Sequence, residues 1–97
     1  MPLVKVHRRG VVTVLELARP EAGNALAARL VAELSAAVLA ANEGDGRALV
    51  LAASGRHFCT GADLRELAAG MDSPPEERVR DAESLAALYA ALLRSPL

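Results

Sequence analysis

Apolar and polar positions alternate from Leu3 to Arg8, with Leu3, Lys5 and His7 set against Val4, Val6 and Arg8. A period of two predicts a strand with one wet face, and Gly10 ends it. Val11 to Leu17 is β-branched or apolar at nearly every position, which predicts a second strand covered on both faces. Separated only by Arg9-Gly10, the two runs read as a β-hairpin. Arg19-Pro20-Glu21-Ala22-Gly23-Asn24 is a loop: Pro20 disfavours helix at Arg19, Gly23 loosens the backbone, and Asn24 suits the N-cap of a helix. Leu26, Leu30, Leu34, Val38 and Ala41 then recur every three or four residues, predicting an amphipathic helix with Arg29 and Glu33 off its stripe. Asn42-Glu43-Gly44-Asp45-Gly46 closes that helix, with Gly44 at C′.

Ala48 to Ala53 is continuously apolar and predicts a buried strand, which Ser54-Gly55 breaks. A helical pattern begins beyond Gly61. Ser73-Pro74-Pro75-Glu76 sets a further helix start, with Ser73 as N-cap, Pro74 at the first helical position and Glu76 completing a capping box. Val79, Ala82, Leu85, Leu88 and Leu92 carry the stripe of this helix, which stops at Arg94 or Ser95 ahead of Pro96. The order β-β-α-β-α-α places the chain in the α/β class.

Composition narrows the possibilities. With 97 residues, one domain with a modest core is expected. Tyr89 and Phe58 are the only aromatics, so each buried residue covers little area. A net charge of −1 gives no reason to expect nucleic acid or an acidic membrane as partner. The single cysteine excludes an intrachain disulfide and suits a reducing compartment. Lys5, His7, Arg8 and Arg9 have no long apolar run behind them, so no signal peptide is expected, and no stretch approaches a membrane span. The expectation is a soluble, cytoplasmic protein.

The chain converges on Arg56-His57-Phe58-Cys59-Thr60-Gly61-Ala62-Asp63-Leu64-Arg65-Glu66-Leu67. A strand feeding a helix start places unpaired N–H groups at the positive end of a helix dipole, a notch suited to a carbonyl oxygen or an anion. Gly61 permits positive φ and close approach of a ligand to the backbone. Thr60 and Asp63 are spaced as a capping box, which would leave the Ala62 N–H free. The same spacing is met by a loop-to-helix junction capped for stability alone, and spacing does not separate the two.

Phe58-Cys59-Thr60-Gly61-Ala62-Asp63-Leu64-Arg65-Glu66 resembles the signature of the crotonase family, the enoyl-CoA hydratase/isomerase superfamily: Phe, two small residues, Gly-Ala-Asp-Leu, a basic residue and Glu. Leu17-Ala18-Arg19-Pro20-Glu21-Ala22-Gly23-Asn24-Ala25-Leu26 is similar to that family's upstream Arg-Pro-Glu and Asn-Ala-Leu pattern. The two matches fall in the family's order and near its separation. The resemblance implies a crotonase-like spiral of ββα turns, of which residues 1–97 form the N-terminal part, and an acyl-CoA thioester as substrate. It implies that two backbone N–H groups hold the thioester oxygen as it becomes enolate-like, the first being that of Ala62. It assigns contacts with coenzyme A, which is part of the substrate rather than a cofactor, to Ala22 and Gly23 and to Asp63, Leu64 and Arg65. Arg65 suits a phosphate because guanidinium binds it bidentately, although a solvated helix-face arginine reads the same way. Glu21 stands where some relatives carry Lys, which weakens phosphate attraction there. By resemblance, the complete protein is a homo-trimer or a dimer of trimers.

The family's two catalytic glutamates come after a second glycine-rich segment, beyond a strand that would begin near Arg94-Ser95-Pro96-Leu97. Neither is expected within this chain. Glu66, Glu76, Glu77 and Glu83 fall on predicted helix faces or caps, with nothing to pair two of them in an apolar pocket. His57 is the one local candidate base, and such a role requires reach to a proton. Cys59 lacks the cationic partner that a reactive thiol needs. No CxxC or His pair is present, so no metal is expected, and there is no GxGxxG. The reading is an acyl-CoA-processing enzyme of the hydratase/isomerase type. The alternative is a non-catalytic acyl-CoA-binding or assembly module, because a half-spiral leaves Ala48–Ala53 and the Val79–Leu92 stripe without full cover.

Overall fold

The computed structural model describes residues 2–71 and 73–97, so Met1, at the head of the basic N-terminal stretch, lies outside the described residues. Strand β1 (Val4–Arg9) pairs antiparallel with β2 (Val12–Leu17), in register from Val4 opposite Leu17 to Arg9 opposite Val12. The hairpin loop is Gly10-Val11, and Gly10 has φ 59°, the left-handed value that the primed turns of tight hairpins demand. After a 3₁₀ turn at Pro20–Ala22, helix α1 (Ala28–Glu43) carries the chain back so that β3 (Ala48–Ala53) joins β2 in parallel. The sheet order is β1-β2-β3. Two more helices complete the chain, α2 (Leu64–Ala69) and α3 (Pro75–Leu93).

The core lies between the sheet and α1. Val4, Leu15 and Leu17 meet Leu30, Val31, Leu34 and Val38, and α3 joins through Leu88. Leu15, Leu30 and Val38 have no exposed surface. Strand β2 was expected to be covered on both faces, but its residues alternate. Thr13, Leu15 and Leu17 are buried beneath α1, while Val12, Val14 and Glu16 are half-buried. β3 forms over the expected residues yet contains no fully buried position, and Val50 is 44% exposed. A run of apolar residues is buried on both faces only where two layers sandwich it. Here β3 is an edge strand with one covered face, as expected of a half-spiral.

Three helix boundaries differ from the sequence expectation. α1 begins at Ala28, and Asn24 is not its cap; the N-cap is Ala27, whose side chain can accept nothing. Gly44 ends α1 in an extended conformation rather than a left-handed one. α3 begins at Pro75, one residue late, and no Ser73 capping box forms. The reason is steric: Pro74 precedes Pro75, which drives it out of the α region. Pro74 adopts φ −56°, ψ 146°, and Pro75 takes the first helical position.

Candidate active site

The loop after β2 and the loop after β3 are locked together, and Asn24 holds the lock. It is fully buried and sits at φ 54°, a left-handed value that Asn tolerates better than most residues. Its side-chain Oδ1 accepts from the Arg19 backbone N–H at 2.8 Å. Its Nδ2 donates to the carbonyls of Ser54 (2.9 Å) and His57 (2.8 Å), one side chain thereby pinning two points of the second loop. Farther along, the Thr60 N–H donates to Gly23 O at 3.1 Å and the Leu26 N–H to Gly61 O at 2.7 Å. Gly23, at φ 61°, packs so closely that a Cβ there would lie 2.8 Å from Thr60 Cγ2.

These contacts orient Ala62. Leu26 and Ala62 form an isolated parallel bridge. Gly61 C=O and Ala62 N–H belong to one trans peptide, so they point in opposite directions. With the carbonyl turned to Leu26, the Ala62 N–H faces away from that segment, and among the described residues it has no hydrogen-bond partner. The expected Thr60–Asp63 box does not form. Asp63 is itself the N-cap of α2, its Oδ1 accepting from Glu66 N–H at 3.1 Å. Ala62 therefore precedes the cap and is not one of the first helical N–H groups. The α2 helix has only six residues, so it adds little dipole. The two clamped loops, rather than a helix end, set this donor in place.

The second oxygen of Asp63 is held by Arg19 Nη1 at 2.7 Å, with the carboxylate side chain only 9% exposed. The Arg19 hydrogen bond, with help from the Glu66 N–H, lowers the Asp63 pKa below the ordinary carboxylate value against the opposing effect of burial. A depressed folded-state pKa means that the folded chain holds fewer protons than the unfolded chain in the acid range. The stabilisation is thus present above the unfolded Asp value, about pH 4, and is lost as pH falls from there toward the folded pKa. The urea midpoint gap between wild type and Asp63→Asn should be full near neutral pH and should close below about pH 4. A gap that widens in acid contradicts this assignment.

Ala62 and Asp63 line a cleft of about 790 Å³ whose walls include Leu26 and Val31 from the α1 side, Leu67 from α2 and Leu85 from α3. The other residues singled out in the sequence lie elsewhere. Ala22 and Gly23 are half-buried in the clamped loop, while Leu64 (77% exposed) and Arg65 stand out in solvent. None of these four lines the cleft. Glu66 reaches it, but its Oε1 accepts from the Ala28 N–H at 2.7 Å and so caps α1 from outside. Glu76, Glu77 and Glu83 are exposed on α3. Cys59 packs half-buried against the core, as filler. Sequence reasoning missed Arg19 as the partner of Asp63, and it misassigned Asn24. The only local signal was an Asn directly after Gly, a pairing that suits left-handed backbone as well as a cap.

A three-stranded sheet and its crossover helix hold two loops around an unpaired main-chain donor beside a cleft, and the fold that does so is shared with known proteins. The family profile described as "Enoyl-CoA hydratase/isomerase" matches residues 7–97, and the chain belongs to this family. Among curated relatives, "Probable enoyl-CoA hydratase echA6" of Mycobacterium tuberculosis is 37% identical over 95 residues, covering 98% of this chain and 36% of that protein. The crystal structure of an enoyl-CoA hydratase from Mycobacterium smegmatis superposes with TM-score 0.87 at 36% identity, over 99% of this chain and 37% of that one. An enoyl-CoA hydratase from Shewanella pealeana gives TM-score 0.92 at 25% identity, over 98% and 36%. The fold is the N-terminal portion of the crotonase fold, and the chain spans about a third of the length of the relatives it matches. Among the described residues, no helix is long and apolar enough to cross a membrane.

Proposed function

We propose that residues 1–97 are the N-terminal part of a ββα-spiral domain that processes acyl-CoA thioesters by enoyl-CoA hydratase or isomerase chemistry. In this reading the Ala62 N–H donates to the thioester oxygen as it gains enolate character. A donor fixed before charge develops needs no reorganisation during the reaction, and the loss of one such donor costs on the order of 10²–10³ in rate. The observation carrying the proposal is that this N–H lacks a partner among the described residues, on a residue that lines the cleft. Ala22 and Gly23 on one loop, with Leu64, Arg65 and the Asp63 backbone on the other, form the coenzyme A side. The Asp63 carboxylate itself is already engaged by Arg19. The catalytic acids come from outside residues 1–97, and the complete protein is a cytoplasmic homo-trimer or hexamer.

A second reading, a non-catalytic acyl-CoA-binding or assembly module, is favoured by the half-covered β3 and by exposed Val79 and Leu93. Calorimetric titration of the complete protein with butyryl-CoA, paired with a turnover assay on an unsaturated thioester, separates the two. Binding with turnover supports the enzyme, binding without turnover supports the module, and no binding overturns both.

A further inference from the structure

The donor at Ala62 is held by hydrogen bonds on its N-terminal side: Thr60 N–H to Gly23 O, and Leu26 N–H to Gly61 O. On its C-terminal side the next residue, Asp63, is held by its carboxylate. One oxygen caps α2 through the Glu66 N–H, and the other meets the Arg19 guanidinium at 2.7 Å. Arg19 is in turn fixed by its own backbone, since its N–H donates to Asn24 Oδ1 and its carbonyl accepts from the Asn24 N–H at 2.9 Å. The Ala62–Asp63 peptide is thereby tied to the 19–26 loop through a charged side-chain bridge spanning 44 positions of sequence.

We infer that Arg19 and Asp63 are a positioning pair, setting the angle at which the Ala62 N–H meets a thioester carbonyl. The inference rests on the reading of Ala62 as the donor. A hydrogen bond weakens steeply once its angle falls below about 120°, so a rotation of the 62–63 segment past that limit costs the contact without emptying the cleft. Asp63 borders the cleft, but both of its carboxylate oxygens are already engaged, and its action on the ligand runs through the peptide that precedes it.

The test compares two ligands that differ only at the carbonyl: butyryl-CoA and S-butyl-CoA, the thioether in which a methylene replaces C=O. The affinity ratio isolates the hydrogen bond to that oxygen. Wild-type protein should prefer the thioester by about 3- to 10-fold, the contribution of one neutral hydrogen bond. Asp63→Asn keeps the α2 cap acceptor but loses the charge, and Arg19→Met keeps the stem but loses the guanidinium. Each should bring the ratio close to one, and Arg19→Met should leave S-butyl-CoA affinity within about twofold of wild type. Arg19→Lys, which keeps a cation at this site, should restore part of the preference and decides the matter if Asp63→Asn fails to fold. A variant ratio equal to wild type overturns the inference. Equal loss of affinity for both ligands also overturns it, because a purely structural pair would act that way. A wild-type protein that binds both ligands equally refutes the donor reading itself, a result distinct from either.

Discussion

Replacing Asn24 with Ala should lower stability by about 3–4 kcal/mol, read as a fall in the denaturant midpoint. The substitution strips partners from the Arg19 N–H and from the Ser54 and His57 carbonyls, all held by one fully buried side chain. An unpaired buried polar group costs about 1–3 kcal/mol, and the low end applies because Arg19 and Ser54 are half-buried and His57 is exposed. A left-handed backbone adds about 1 kcal/mol for Ala that Asn mitigates by local hydrogen bonding. Asn24→Gly loses the same three bonds without the backbone cost, so it should lie about 1 kcal/mol above Asn24→Ala. Asn24→Asp tests the donor directly: it preserves shape but presents an oxygen to two carbonyl oxygens, and it should be at least as harmful as Ala. In each variant the amides of Arg56 to Thr60 should exchange faster with solvent, because the pins on that loop are gone. An Asn24→Ala midpoint within error of wild type would show that the lock holds nothing.

Leu30→Ala is the second large effect, expected at about 2–5 kcal/mol. Leu30 has no exposed surface and sits in the cluster joining α1 to the sheet. The truncation loses the transfer free energy of the removed carbons and leaves a cavity that rigid β-strands on one side cannot fill. Total stabilities of domains fall near 5–15 kcal/mol, with small ones low, so this change should leave a substantial unfolded fraction without denaturant. Leu64→Ala is the control. At 77% exposure it should move the midpoint by no more than about 0.5 kcal/mol. Comparable losses in the two variants would falsify the assignment of the core to the α1–sheet layer.

Local patterns were legible where a single periodicity decided the matter. The hairpin, the α1 stripe and the apolar run of β3 appear where alternation, three-to-four spacing and continuity place them. Burial was less legible. The residues of β2 and β3 are apolar enough for a sandwiched strand, yet cover depends on how many layers the chain supplies, and here one helix lies on one face. Caps were the weakest point. Thr60–Asp63 and Asp63–Glu66 both satisfy a box spacing, and only the fold selects the second. Glu66 could not be read as a cap for α1 either, since its partner Ala28 is 38 residues away.

By itself, the sequence determined the α/β order of elements and, through the runs at 17–26 and 58–66, the family, because those are properties of neighbours along the chain. The tertiary structure alone decided that Asn24 is a clamp rather than a helix cap, that Arg19 pairs with Asp63, and which way the Ala62 N–H faces. The physical reason is range. Periodicity and capping are set within a turn or two of backbone, whereas these three facts depend on a helical crossover that brings residues 19–26 against 54–63.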